Sequence, residues 1–260
     1  MKHRRIAIFV ATAFAIALSV CNARAQGATA TSWASCKLTP IGEAKVTAVR
    51  DDGTLMLGDG SELKLAGIEV AGGSRDALQA LASGQVLRLE RLGPEVDRYG
   101  RLVAFAFPGD SQQSLQAALL TQGRARVSAR IGQKACADGL LAAERVARTE
   151  RRGLWADPNF APLQAEDLTA LQTKRGHFAL VEGKVLSVRE SGATIYVNFG
   201  RRWTQDFTVI ILKRQQRTFA GAGVEPKQLE GRRIRVRGWI EQRGGPVVMA
   251  EQPEQIELID

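Results

Sequence analysis

Histidine, tyrosine and cysteine are all scarce in this chain of 260 residues, which has two His, two Tyr and three Cys. Structural zinc sites take four Cys or His ligands, and a mature chain holding His177 and two cysteines cannot supply them. Long apolar runs are also rare. The most prominent, Ile6 to Val20, is short of the about 20 residues that a bilayer-spanning helix needs. A disordered chain is excluded as well, because hydrophobic residues make up 45% of the total, enough for one or two globular domains.

The apolar run at the N-terminus sits in a recognisable order. Lys2, Arg4 and Arg5 precede it, and Ala23-Arg24-Ala25 follows with small residues before a cleavage point. Residues 1–25 are therefore expected to be a secretory signal, with the mature chain starting near Gln26 and residing in the periplasm or outside the cell. Lipid attachment at Cys21 is disfavoured by Val20, where a small residue is usual. The net charge of +9 falls with the signal: taking its four bases from 36 leaves 32 against 27 acids, so the mature charge is +5. That mild basic bias is compatible with a polyanion partner. Export leaves Cys36 and Cys136 as an even pair in an oxidising compartment, which predicts one disulfide; two unpaired buried thiols are the alternative.

Patterning predicts strands at Lys45 to Val49, Leu55 to Leu57 and Leu63 to Ile68, the last two joined by a Gly58-Asp59-Gly60 turn. A helix from Ser74 to Ser83 carries Ala77, Leu78 and Leu81 on one face and stops at Gly84. Val86 to Leu92 and Leu102 to Phe107 then form a second hairpin. Three strands, a helix and two strands is the order of an OB-type barrel. Two further helices are marked by Leu115, Ala118 and Leu119, and by Cys136, Leu140, Ala143 and Ala147. Ala156 to Gly176, with Pro158 and Pro162, reads as a linker with a short helix at Ala165 to Leu171. The strand, strand, strand, helix, strand, strand order then recurs from Phe178 to Leu258. The expected fold is mainly β (α+β), with two OB-fold-like barrels at 40–156 and 177–260 and a linker at 157–176; an irregular five-stranded sheet is the alternative for the second.

The turn between the later strands of the first domain is Asp97-Arg98-Tyr99-Gly100-Arg101, opening onto Leu102-Val103-Ala104-Phe105-Ala106-Phe107. A polar turn leading into a run that is apolar on both faces places Arg101 at the mouth of a buried strand, where it can face a phosphate. With LLTQGRARV and AAERVARTERRGLW further on, this DRYGR segment resembles the staphylococcal nuclease (thermonuclease) family over about residues 44–156. The resemblance implies an OB barrel with three helices and calcium-dependent phosphodiester hydrolysis, in which a cation and fixed positive charge stabilise the phosphate.

Laid against the family's motifs, the site is incomplete. Arg101 matches the phosphate-binding Arg. Gly53 stands where a metal-binding Asp is expected, Lys64 replaces a second Arg, Glu69 a second metal Asp, Val70 a Thr and Gly72 the general-base Glu. Lys64 keeps charge but loses bidentate geometry. Gly72 has no group to take a proton. Gly53 removes an anionic oxygen from a cation that wants several. Residual catalysis would fall to Arg101, Lys64 and Glu69, with Glu69 also the candidate metal ligand and calcium the implied cofactor. Rescue by Asp52 requires a shifted turn; otherwise Asp51 and Asp52 are turn residues. After Gly123-Arg124-Ala125-Arg126-Val127 the family's two Tyr give way to Ser128, Ala129, Arg130 and Ile131, leaving a loop that either contacts phosphate or is merely solvated.

In the C-terminal half, Arg233, Arg235, Arg237 and Trp239 alternate with Ile234 and Val236, so they share one strand face. Phosphates can meet the Arg and a base can stack on the Trp; an exposed face with covered Trp is the alternative. Arg201, Arg202 and Trp203 form another basic, aromatic cluster. Candidate nucleic-acid contacts are Arg98, Arg126, Arg235, Arg237 and Trp239. Three functions fit: a non-catalytic binder of single-stranded nucleic acid or another polyanion, a calcium-dependent nuclease with a rebuilt site, and a structural or protein-interaction module.

Overall fold

The structure, a computed structural model, describes residues 36–93, 96–202 and 204–259. The expected signal at 1–25 and Trp203 lie outside the described residues. In the first domain, strands β1 (Thr39–Val49), β2 (Leu55–Leu57), β3 (Glu62–Leu65), β4 (Ile68–Val70), β5 (Val86–Arg91), β6 (Leu102–Pro108) and β7 (Ala125–Val127) accompany helices α1 (Arg75–Ala82), α2 (Leu115–Thr121) and α3 (Lys134–Thr149). Five of the strands close into a barrel in the order β1-β2-β3-β6-β5. The β3/β6 contact is parallel and the others are antiparallel. Leu55, Leu63, Leu87 and Phe105 fill the barrel, and Leu115, Leu119 and Leu140 pack the helices onto it, all fully buried.

Local chemistry fixes the turns. Asp97 Oδ1 accepts hydrogen bonds from the backbone N–H groups of Tyr99 and Arg101, at 2.9 and 3.1 Å, and so folds the DRYGR segment into the expected turn before β6. Ser114 caps α2 by accepting from Ala117 N. At the end of α3 two glycines cross: a Cβ on Gly123 would lie 2.1 Å from Arg152 O, and one on Gly153 2.3 Å from Gly123 O. Both have positive φ, so the crossing needs glycine twice over. Cys36 and Cys136 form the predicted disulfide, joining the start of the described chain to α3 across a sequence separation of 100. A closed loop of that length stabilises by up to about 4 to 5 kcal/mol in the chain-entropy model.

The segment expected as a linker is largely absorbed into the second domain. There β8 (Leu163–Gln164) and α4 (Leu168–Thr173) precede β9 (Phe178–Lys184), β10 (Ser187–Ser191), β11 (Thr194–Asn198), β12 (Thr208–Leu212), α5 (Gln216–Gly221), β13 (Arg233–Trp239), β14 (Glu241–Arg243), β15 (Gly245–Met249) and β16 (Ile256–Leu258). β8 pairs with β9, and Ala165 and Leu171 are buried in the second core. Where one barrel was expected, the strands divide into a five-stranded sheet, β10-β11-β12-β15-β14, and a four-stranded sheet, β16-β13-β9-β8. The division falls at buried Val185, just after β9, and at buried Ile240 between β13 and β14. The parallel β12/β15 pair has the same place in its order as β3/β6 in the first domain. A third cluster, with Ala147, Leu154, Trp155, Phe178 and Leu180, seals the two domains together.

Candidate functional site

Gly53 is the most informative position of the corner that the DRYGR turn was expected to serve. It has φ +80°, and a Cβ built on it would lie 2.9 Å from Val70 Cβ and 3.0 and 3.1 Å from the two Val70 methyls. The space for a side chain there is filled by the residue following Glu69. Asp52 does not stand in: its Oδ1 accepts from Thr54 N at 3.0 Å, a local turn bond that holds its carboxyl below the ordinary value, helped by the more distant charge of Arg101. Asp51 pairs with Arg75 at 3.4 Å.

Arg101 is already engaged. Its Nε and Nη2 both donate to Asp97 Oδ2, at 2.9 and 2.8 Å, and Nη1 lies 3.8 Å from Asp52. The hydrogen bond to Asp97 raises the guanidinium pKa above its usual value. Two carboxylates around one guanidinium leave no excess positive charge for a phosphate. Lys64 sits on β3 beside Val103 of β6, and Glu69 on β4 opposite Arg126 of β7. Among the described residues no hydrogen bond or ion pair joins Lys64, Glu69 and Arg101, and no group of three His, Cys, Asp or Glu is placed to hold a metal. The residues therefore do not fit the calcium that the resemblance implies.

The cationic ladder expected on β13 also resolves differently. Alternation does place Arg233, Arg235, Arg237 and Trp239 in step, but Arg237 is fully buried and faces the first domain. Its Nη1 donates to Val127 O and Glu144 Oε2, both at 3.1 Å, and its Nη2 to Glu144 Oε1 at 3.0 Å and Glu257 Oε1 at 2.7 Å. Arg235 donates to Glu182 at 2.7 Å and lies 3.4 Å from Glu257, and Arg148 pairs with Glu144 at 2.7 Å. Burial opposes the charge on Arg237, yet Glu144 and Glu257 outweigh it and raise its pKa above the ordinary arginine value. Burial likewise works against ionised Glu257, but Arg237, Arg148 and Arg235 hold its carboxyl below the usual value. Arg235 and Arg237 are thus counter-ions in a domain joint and not phosphate contacts.

The remaining expected contacts separate into two places. Arg98 lies on the exposed turn, its guanidinium 4.8 Å over the ring of Tyr99, which is itself exposed. Arg126 and Trp239 come together at a cleft between the domains, with a volume of about 730 Å³, whose walls also include Glu69, Phe178, Lys174 and Phe160. Phe178 links the pair: its ring centroid is 6.4 Å from that of Trp239, edge to face, and 4.7 Å from the Arg126 guanidinium. Arg126 also donates to Phe178 O at 3.2 Å and covers the Phe160 ring at 5.6 Å. Trp239 remains 60% exposed. Neither Arg101 nor Lys64 lines this cleft.

Lys174 and Phe178 of this wall were not singled out from the sequence, since one lay in the expected linker and the other read as an ordinary strand residue. The joint was missed too, although it left a trace: Glu144 interrupts the apolar face of α3 beside Leu140, Ala143 and Ala147, all buried. Among comparisons with known proteins, the family model described as staphylococcal nuclease homologue matches residues 72–157. That span holds the DRYGR turn, α2 and α3, and begins after Gly53, Lys64 and Glu69. No curated protein matches the chain.

Proposed function

We propose that this staphylococcal-nuclease-like protein is exported and binds a polyanion, single-stranded nucleic acid foremost, without cutting it. The observation that carries the reading is the packing of Gly53 against Val70, which occupies the place of a metal-binding carboxylate. Hydrolysis of a phosphodiester needs a cation or equivalent charge on the developing oxyanion, a base for water, and a free cationic clamp. Here Gly72 offers no base, and Arg101 is neutralised by Asp97 and Asp52. Binding asks for less, since released counterions and stacked bases supply affinity without ordered chemistry. The mature charge of +5, exposed Arg98 and the aromatic, cationic cleft support it. The signal-like N-terminus and the Cys36–Cys136 disulfide support export.

Purified mature protein should retain single-stranded DNA in a salt-sensitive way and leave it intact when calcium is added. Calcium-dependent degradation that Arg101→Ala abolishes would replace this reading with the nuclease one. Absence of any salt-sensitive retention would leave the interaction module.

A further inference from the structure

We infer that the cleft between the domains is where the nucleic acid binds, and that it takes one nucleotide unit, a base with its phosphate. This rests on the polyanion-binding reading above. The argument starts from Arg126. It is half-buried on β7, and among the described residues no carboxylate lies within 4 Å of its guanidinium; its partners are the carbonyl of Phe178 and the faces of Phe160 and Phe178. Burial lowers its pKa, and Glu144 and Glu69 act on it only from a distance. A desolvated cation with donors to spare on the wall of a cleft favours an anion arriving from solution. Lys174, on the same wall, makes no ion pair among the described residues.

The other cleft charges are already spoken for. Arg130 pairs with Glu251 at 2.5 Å, and Glu241 with Arg243 at 3.0 Å. What is left is Arg126 and Lys174 against Glu69, an excess of one positive charge. That matches a single phosphate and would not hold a run of them. Glu69 can accept from a sugar hydroxyl or a base amino group. The exposed indole of Trp239, held in a T-shaped contact with Phe178, gives the base a flat apolar face. A volume of about 730 Å³ lies within the range of small-ligand sites. Phe178 touches both the ring and the guanidinium, so base and phosphate are within reach of one nucleotide.

The test is fluorescence anisotropy of a labelled short oligothymidylate on the full mature protein, with thymidine 5′-monophosphate as competitor. Both ligands should share the site, and which binds more tightly separates a free nucleotide from a strand as the natural source. Trp239→Ala should weaken oligonucleotide binding about tenfold, as expected for one lost stacking contact. Lys174→Glu should also weaken it and flatten its salt dependence, while Arg101→Ala leaves it unchanged. Both affected side chains reach solvent, and unaltered melting temperatures establish that the variants fold. Binding that survives Trp239→Ala and Lys174→Glu but is lost in Arg101→Ala overturns the cleft and leaves the polyanion reading standing. Failure of the monophosphate to compete overturns the single-nucleotide site. Failure of the unaltered protein to bind the oligonucleotide sinks the polyanion reading itself.

Discussion

Gly53 is one of several positions near DRYGR that lack the group the family resemblance implies, and supplying a carboxylate there would not build a metal site. Gly53→Asp places a branched, charged group at φ +80° with its Cβ 2.9 Å from Val70 Cβ. Strain of about 1 to 2 kcal/mol from the left-handed backbone adds to the clash. The variant should melt at a lower temperature than the parent and gain no heat of calcium binding by calorimetry. A tight calcium isotherm would show that the turn yields. Residue identities alone revealed that Gly53 lacks an oxygen, but not that Val70 had filled the gap, because the contact joins two segments 17 positions apart. The same limit applies to Arg101. Its place at the strand mouth was legible from the turn chemistry, whereas the carboxylates closing on it depend on how Asp97 and Asp52 fold back.

At the level of elements, β13 shows what alternation can and cannot tell. Period two put Arg235 and Arg237 on one face, and that holds. Which neighbour covers the face is set by tertiary pairing: Glu182 on β9 and Glu257 on β16 stand directly across from Arg235, and α3 brings Glu144 over Arg237. Acids on flanking strands and one acid in the apolar stripe of α3 were the available clues. A buried pair broken on one side leaves uncompensated charge, at a cost of about 3 to 5 kcal/mol. Arg237→Met should therefore lower the urea midpoint by that amount of stability, because Glu144 and Glu257 both lose a donor. Arg98→Ala, a change on an exposed turn, should stay within about 0.5 kcal/mol. Equal effects from the two substitutions would contradict the roles assigned to them.

For the whole molecule, the first barrel and its helices were legible because apolar alternation, Gly-containing turns and a family resemblance all agreed. The second domain was legible as strands but not as sheets, since Val185 and Ile240, where the sheets divide, look like any other apolar residue in a run. How the domains meet left only a faint mark in the sequence, the acid Glu144 within the apolar stripe of α3. That joint should respond to acid. Glu257 binds its proton less readily folded than unfolded, so its contribution is complete above the unfolded value near 4.5 and is lost as pH falls below it through the lower folded value. Urea midpoints should be flat from pH 7 to about 5 on this account and then decline, with proteolysis between the domains appearing over the same interval. A midpoint that rises on acidification would refute it.

The joint also bears on how such a protein can change over generations. Glu144 of one half pairs with Arg237 of the other as well as with its own Arg148, so the two halves share a counter-ion across the joint and a change in one is felt by the other. A lineage that shuffled either half onto a new neighbour would leave Glu144 with Arg148 alone and Arg237 with Glu257 alone, each short of the partner that the joint supplies.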